Sequence, residues 1–320
     1  MIGLRGNEDE YSRVFALIPT LDNFFNDMYI ALSNGIVFAF IGSLLKTAGF
    51  NSQSLLFTFA FLSIGLRLYF FSRYTNYYLI AFLFYLSHEI IFHEWIPIRA
   101  GLASVLVLPM IYFLQKDNKK MFFLIYLIST TIHYVSVLSI VIYFLNRQFK
   151  PSSLFMILSS AFLINYLDIV GKIFYVLDSI RLLPSIVNLY LNWDSHNYSA
   201  SLLHPKTLQQ ILTSFFLIYF YNKNYVAYNN KYFLLLNVYL LSTFFQISFN
   251  DYAIFSFRIA GHFYSVEPIL LSTLIYFFRE KKIIILSFVL LCLSLSYVNY
   301  GIMERIEPYH FLVKPESLQW

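Results

Sequence analysis

Charge is scarce in this chain: 12% of its 320 residues are charged, against roughly 25% in an average soluble domain. Cysteine is scarcer still, with Cys292 alone, which excludes an internal disulfide and a cysteine metal cage. It lies in an apolar run and reads as a small buried hydrophobe. No cleavable signal peptide is expected, because the first ten residues, MIGLRGNEDE, are polar and acidic. Glycine-rich phosphate loops, nucleotide-binding motifs and heptads are missing too. What is abundant is apolar: 59% hydrophobic and 21% aromatic residues, with a mean hydropathy of +0.64. No soluble fold could cover so much apolar surface, so the chain reads as an all-α polytopic membrane protein.

Apolar runs place helices near Leu55–Phe71, Tyr77–Trp95, Ile98–Leu114, Leu154–Gly171, Leu208–Tyr221, Tyr232–Phe249, Ile259–Phe278 and Ile283–Tyr300, about eight crossings in one domain over residues 1–320. Tyr29–Gly49 is weaker, interrupted by Ser33-Asn34-Gly35 and Lys46, and reads as a half-inserted helix on the outer side. The run Met121–Leu145 is different. It is long enough to cross once, yet both ends are basic, at Lys116–Lys120 and at Arg147 with Lys150. Two half-depth helices meeting near Thr131-Ile132-His133-Tyr134 remove the conflict, and a break at membrane depth must be enclosed by protein, which puts His133 inside.

Orientation follows from the positive-inside bias. Placing Arg73, Lys116–Lys120, Arg147–Lys150, Lys223–Lys231 and Arg279–Lys282 in the cytoplasm leaves residues 1–28, the Arg99 junction, the loop 172–206, the Asp251–Arg258 turn and the tail 301–320 outside. The net charge of +5 is thus a topological signal, with no case for nucleic acid. Residues 1–25 then lie outside with no preceding span. The expectation is an upstream helix missing from this version of the chain, the alternative being that the first span translocates the short acidic segment.

The outer side is also where chemistry gathers. Arg99 stands in the break Ile96-Pro97-Ile98-Arg99-Ala100-Gly101, Arg258 opens another span, and Arg5, Glu8, Asp9, Glu10, Tyr11 and Arg13 crowd the first segment. Arginine forks suit phosphate oxygens, and a carboxylate can take a proton from an attacking hydroxyl. Together they suit a lipid-linked pyrophosphate sugar donor and a sugar-hydroxyl acceptor. Arg99 and Arg258 also have a structural reading, helix-end arginines snorkelling to the interface; Arg5 and Asp9 could form a solvated cluster, and His133 a polar tie between half-helices. Glu267, on the order of 13 Å into its span, needs a partner or a proton. In His88-Glu89-Ile90-Ile91-Phe92-His93 the histidines are five apart, which turns the second about 140° off the first one's face, so no metal is expected there.

The order Arg5-Gly6-Asn7-Glu8-Asp9-Glu10-Tyr11, Ile98-Arg99-Ala100-Gly101-Leu102-Ala103, His133-Tyr134-Val135-Ser136 and Arg258-Ile259-Ala260-Gly261-His262-Phe263 resembles the EpsG-like branch of Wzy-type O-antigen and exopolysaccharide polymerases. The resemblance covers nearly the whole chain. It implies a multi-pass glycosyltransferase of GT-C-like architecture in the bacterial inner membrane. Such enzymes join undecaprenyl-pyrophosphate-linked oligosaccharides on the periplasmic side, with a chain-length regulator as a candidate partner and no cofactor. On this reading Arg99 and Arg258 hold the pyrophosphate, Asp9 serves the acceptor hydroxyl and His133 is a further catalytic candidate. Arg5, Glu10, Tyr11 and Glu267 bind substrate, while Tyr190 and Trp193 in the 172–206 loop line a glycan groove. The sequence departs from the family pattern at Glu10 and His262, where a tyrosine is usual.

Other classes compete. A membrane acyltransferase acting on glycans would use a histidine centre, for which His133 is available. A lipid-linked oligosaccharide flippase or solute carrier would be expected to show paired halves with broken helices, and the sequence contains no such repeat.

Overall fold

The computed structural model describes residues 8–29, 35–90, 98–182, 187–188, 191, 202–220, 232–278 and 280–306, with the side chains of 8–10 and 298–306 left out. Among the described residues the regular structure is entirely helical. In chain order the helices are α1 (Glu8–Leu17), α2 (Ile36–Thr47), α3 (Ser52–Tyr74), α4 (Tyr78–Phe84), α5 (Ile98–Val105), α6 (Val107–Gln115), α7 (Lys119–Ile132), α8 (Val141–Phe144), α9 (Pro151–Tyr166), α10 (Ile169–Ser179), α11 (Pro205–Phe220), α12 (Tyr232–Ser248), α13 (Ala253–Tyr264), α14 (Glu267–Thr273) and α15 (Lys281–Ile306). They form two compact units. One comprises residues 1–113, 118–139 and 268–320, the other 114–117 and 140–267.

In the first unit, α3 is 23 residues long and apolar enough to cross a bilayer. Asn51 starts it by accepting from Ser54 N at 3.1 Å. Its inward stripe, Phe59, Ser63, Arg67, Phe70 and Tyr74, recurs at helical spacing, while Phe57, Phe61, Leu68 and Tyr69 stay exposed on the opposite side. Exposed apolar side chains also cover α7 (Phe123, Leu124, Leu127, Ile128) and α15 (Leu286, Leu290, Leu293). Surfaces of that kind call for lipid rather than water.

The pair α5–α6, Ile98–Gln115, meets the crossing criterion over 18 residues. It is interrupted at Leu106 because Pro109 has no N–H to give the Val105 carbonyl. Lys46, which breaks the apolar run in the sequence, has a structural task. Its Nζ donates to Ala16 O at 2.8 Å and Ile18 O at 2.6 Å, closing the C-terminal end of α1.

The reversal expected at Thr131–Tyr134 is present. α7 ends at Ile132, His133 is extended (φ −148°, ψ 129°), and a 3₁₀ segment, Tyr134–Ile140, follows. Tyr126 Oη reaches Val137 O at 3.3 Å and Ser129 Oγ lies 2.9 Å from Ser136 Oγ. A continuous helix would separate residues 126 and 137 by roughly 16 Å along its axis, so the chain folds back. α2 packs on this hairpin through Gly35 (φ +93°), where an added Cβ would stand 2.8 Å from Ile132 O and 3.0 Å from Thr131 O.

In the second unit α9 bends by 59° into α10. The bend is made by Asp168, left-handed at φ 47°, whose side chain caps α10 by accepting from Gly171 N at 3.1 Å. Asn165 Nδ2 donates to Asp251 Oδ2 at 2.9 Å, and Tyr252 Oη donates to Asp168 Oδ1 at 3.4 Å, tying the bend to the α12–α13 turn. α12 is buried on nearly every side, as the centre of this unit.

Among the described residues, two helices are long and apolar enough to cross, or three if the bent α9–α10 pair counts as one span; α2, α12 and the segments Tyr134–Phe144 and Glu267–Phe277 are shorter apolar helices. The expected span Ile259–Phe278 is divided. α13 stops at Tyr264 and α14 begins at Glu267 with Pro268 in its first turn, where a missing N–H costs nothing. The chain is a helical membrane protein.

Candidate functional site

In the first unit the candidate residues gather at the start of α5. Arg99 is in its first turn, half-buried, with Cζ 5.2 Å from the centroid of Phe38 on α2. Tyr11 of α1 packs against the same ring, tilted by 53° at 6.3 Å between centroids, so the N-terminal acidic helix and the junction arginine converge on one aromatic side chain. The N-terminal end of the helix dipole adds positive potential beside the guanidinium. Asp9 and Glu10 belong to the first turn of α1, their side chains outside the described set; Arg5 lies outside the described residues altogether.

The hairpin break meets the same helix. Ser129 Oγ lies 3.2 Å from Ala103 O on α5. His133 is held by its own backbone, N–H to Ser129 O at 3.0 Å and carbonyl to Ser136 N at 3.0 Å, and its half-buried ring stacks on Tyr134 at 4.7 Å. The break thus leaves His133 half-buried beside the exposed Tyr134.

Beneath Arg99 is a pair that the sequence reading passed over. Arg67 and Glu89 are both fully buried, 3.9 Å apart. Arg67 Nη2 donates to Ser104 Oγ at 2.8 Å and reaches Gly101 O at 3.5 Å, while its Cζ stands 4.5 Å from the Tyr85 ring centroid. The guanidinium therefore fastens α3 to α5 one turn below Arg99. Glu89 and Tyr85 belong to a π-helical turn, Tyr85–Glu89, a geometry often kept for functional reasons. The signal was available: an arginine within the apolar run Leu55–Phe71 marks a site by default.

In the second unit Arg258 is exposed on α13. Glu267 is fully buried, and Tyr239 Oη donates to its Oε1 at 2.8 Å. Lys206, 8% exposed, lies over the rings of Tyr264 and Phe257 at 5.3 and 5.7 Å. Gln209 Nε2 donates to Tyr264 Oη at 3.4 Å. Just ahead of α11, partial burial and then the Lys206 charge hold His204 below the ordinary imidazole range. Burial and then Asp168 raise the Tyr252 phenol. Tyr190 and Trp193 lie outside the described residues. The structure thus brings Tyr11, Arg99 and the His133 break together in one unit and places Arg258 and Glu267 in the other.

The family model described as EpsG family matches residues 1–311. The chain is also similar to the "Amylovoran biosynthesis protein AmsC" of Erwinia amylovora, 23% identical over 258 residues, which covers 78% of this chain and 67% of that protein. No solved structure matches.

Proposed function

Since the chain belongs to the EpsG family, we propose that it is a polysaccharide polymerase, a glycosyltransferase that joins lipid-pyrophosphate-linked repeat units. AmsC, named for amylovoran biosynthesis, supports a role in making a bacterial exopolysaccharide. The observation that carries the reading is the meeting of Arg99 and Tyr11 on Phe38, at the start of the helix that the His133 hairpin touches through Ser129. A fixed cation at a helix start, screened from bulk water, suits the charge that develops on a leaving pyrophosphate. Arg258 is the second candidate contact, Asp9 the acceptor base, and Arg5, Glu10, Tyr190 and Trp193 candidate contacts to acceptor and glycan. The carrier is taken to be undecaprenyl pyrophosphate, the architecture GT-C-like and the location the outer face of the bacterial inner membrane.

The test is polymer formation in vitro from purified lipid-linked repeat at matched protein levels. Arg99→Ala is expected to abolish polymer while leaving the protein in the membrane. Arg99→Lys should rescue poorly, since lysine offers a point charge in place of a fork. Ladders of normal length from the alanine variant would overturn the pyrophosphate reading. A wild-type protein that attaches acyl groups to glycans and makes no polymer would overturn the polymerase.

A further inference from the structure

Three helices of the second unit are joined by a buried polar seam that the roles above do not use. α11 and α13 run antiparallel to α12, and the side chains meet in rungs. Near the end of α12, Gln246 Nε2 donates to Thr207 Oγ1 at 3.2 Å. Further in, Gln210 Nε2 donates to Ser242 Oγ at 3.3 Å, and Ser242 Oγ donates to Ala260 O at 2.7 Å. The seam ends at Tyr239 and Glu267, 2.8 Å apart. Glutamines 210 and 246 and Glu267 are fully buried, and Asn250, at the mouth beside the exposed Asp251, is 3% exposed.

Beside the Ser248 hydroxyl, four of the atoms left over are acceptors. Asn250 Oδ1, Gln246 Oε1, Gln210 Oε1 and Glu267 Oε2 have no hydrogen-bond partner among the described residues. Acceptors cannot satisfy one another, and burying one unmatched is unfavourable. Water supplies the donors, and buried water collects where polar atoms are left unsatisfied. Asn250, in the turn just past α12, is eleven positions beyond Tyr239, on the order of 16 Å by helical rise. The charged and titratable groups around Glu267 are Lys206 from α11, Tyr239 from α12 and Tyr264 from α13.

We propose that this seam holds a file of water from Asn250 to Glu267, through which the buried carboxyl exchanges a proton with solvent. Glu267 is then a proton acceptor with its own exit. The source of the proton rests on the polymerase reading. As the acceptor oxygen bonds to the anomeric carbon, its O–H breaks, Asp9 takes the proton, and the Glu267 carboxylate receives it from Asp9. The pyrophosphate leaves with the C–O electron pair, and the proton departs along the water file before the next linkage forms.

Infrared spectroscopy of the whole protein in lipid nanodiscs, transferred from H₂O to D₂O, tests this without any activity assay. The protonated Glu267 carboxyl is identified as the carbonyl band lost in Glu267→Gln across a pH titration. It is expected to exchange readily in the wild type, and about tenfold more slowly in Gln246→Leu and Gln210→Leu, which replace a rung by apolar bulk. Gln246→Met, closer in shape, serves where leucine lowers the yield of folded protein. Unchanged exchange in these variants, or no Glu267 band at any pH, overturns the relay. A wild type that makes no polymer but exchanges as described overturns the polymerase reading alone.

Discussion

At the scale of single residues, the buried pair Arg67–Glu89 and the half-buried Arg99 illustrate different kinds of charge. Arg67 is met by protein on three sides, by Ser104, Glu89 and the Tyr85 face, so its replacement acts on the fold. Arg67→Ala leaves the Glu89 carboxylate buried without its cation and is expected to cost about 3–5 kcal/mol. Joint replacement by Arg67→Met and Glu89→Leu should recover most of that loss, because two well-packed apolar side chains need no desolvation. Unfolding midpoints in detergent measure both; a double variant as unstable as the sum of the singles would show that the pair does not act as a unit. Asp9 is tested by turnover instead. Asp9→Asn keeps shape and removes basicity, so the rate should fall by roughly 10²–10⁴-fold with lipid-linked substrate still bound. A wild-type rate would transfer the role of base to Glu267.

At the scale of elements, the hairpin Lys119–Ser139 rests on α2 through a glycine that meets two demands. Gly35 has φ +93° and no room for a Cβ against the Ile132 carbonyl. Gly35→Ala is expected to destabilise by about 1–3 kcal/mol and to loosen the His133 turn, seen as faster amide exchange at residues 131–136. Unchanged exchange there would mean that α2 does not hold the hairpin. Cysteine labelling should find Asn118 and Gln148 on one side of the membrane, and opposite sides would sink the re-entrant topology. This break was legible because two basic clusters flank a run that could cross only once. The interruption at Ser265–Val266 was not drawn from the sequence, although Pro268 marked it, because an uninterrupted apolar run hides a change of helix. Arg67 was hidden in the same way: averaged over Leu55–Phe71, one arginine hardly alters the hydropathy. Polar seams such as Gln210–Ser242 escape for another reason, since their meaning lies in which helix they face.

At the scale of the whole molecule, apolar surface on α3, α7, α9 and α15 faces outward while charge is drawn inward or to helix ends. The two cations on which the proposed chemistry depends, Arg99 and Arg258, belong to different compact units. A pyrophosphate gripped by both would couple them energetically, whereas arginines serving separate steps would act independently. The distinction is measurable with Arg99→Lys and Arg258→Lys, which keep the charge and enough turnover to quantify. Each single variant is expected to lower kcat/KM by about 10–100-fold through loss of forked contacts. If both grip the leaving group, the double variant should fall well short of the product of the two losses, because the second substitution weakens a contact already compromised by the first. A product of the two losses, measured on the same lipid-linked repeat, would assign Arg258 to another step, such as holding the acceptor chain, and leave Arg99 as the pyrophosphate contact.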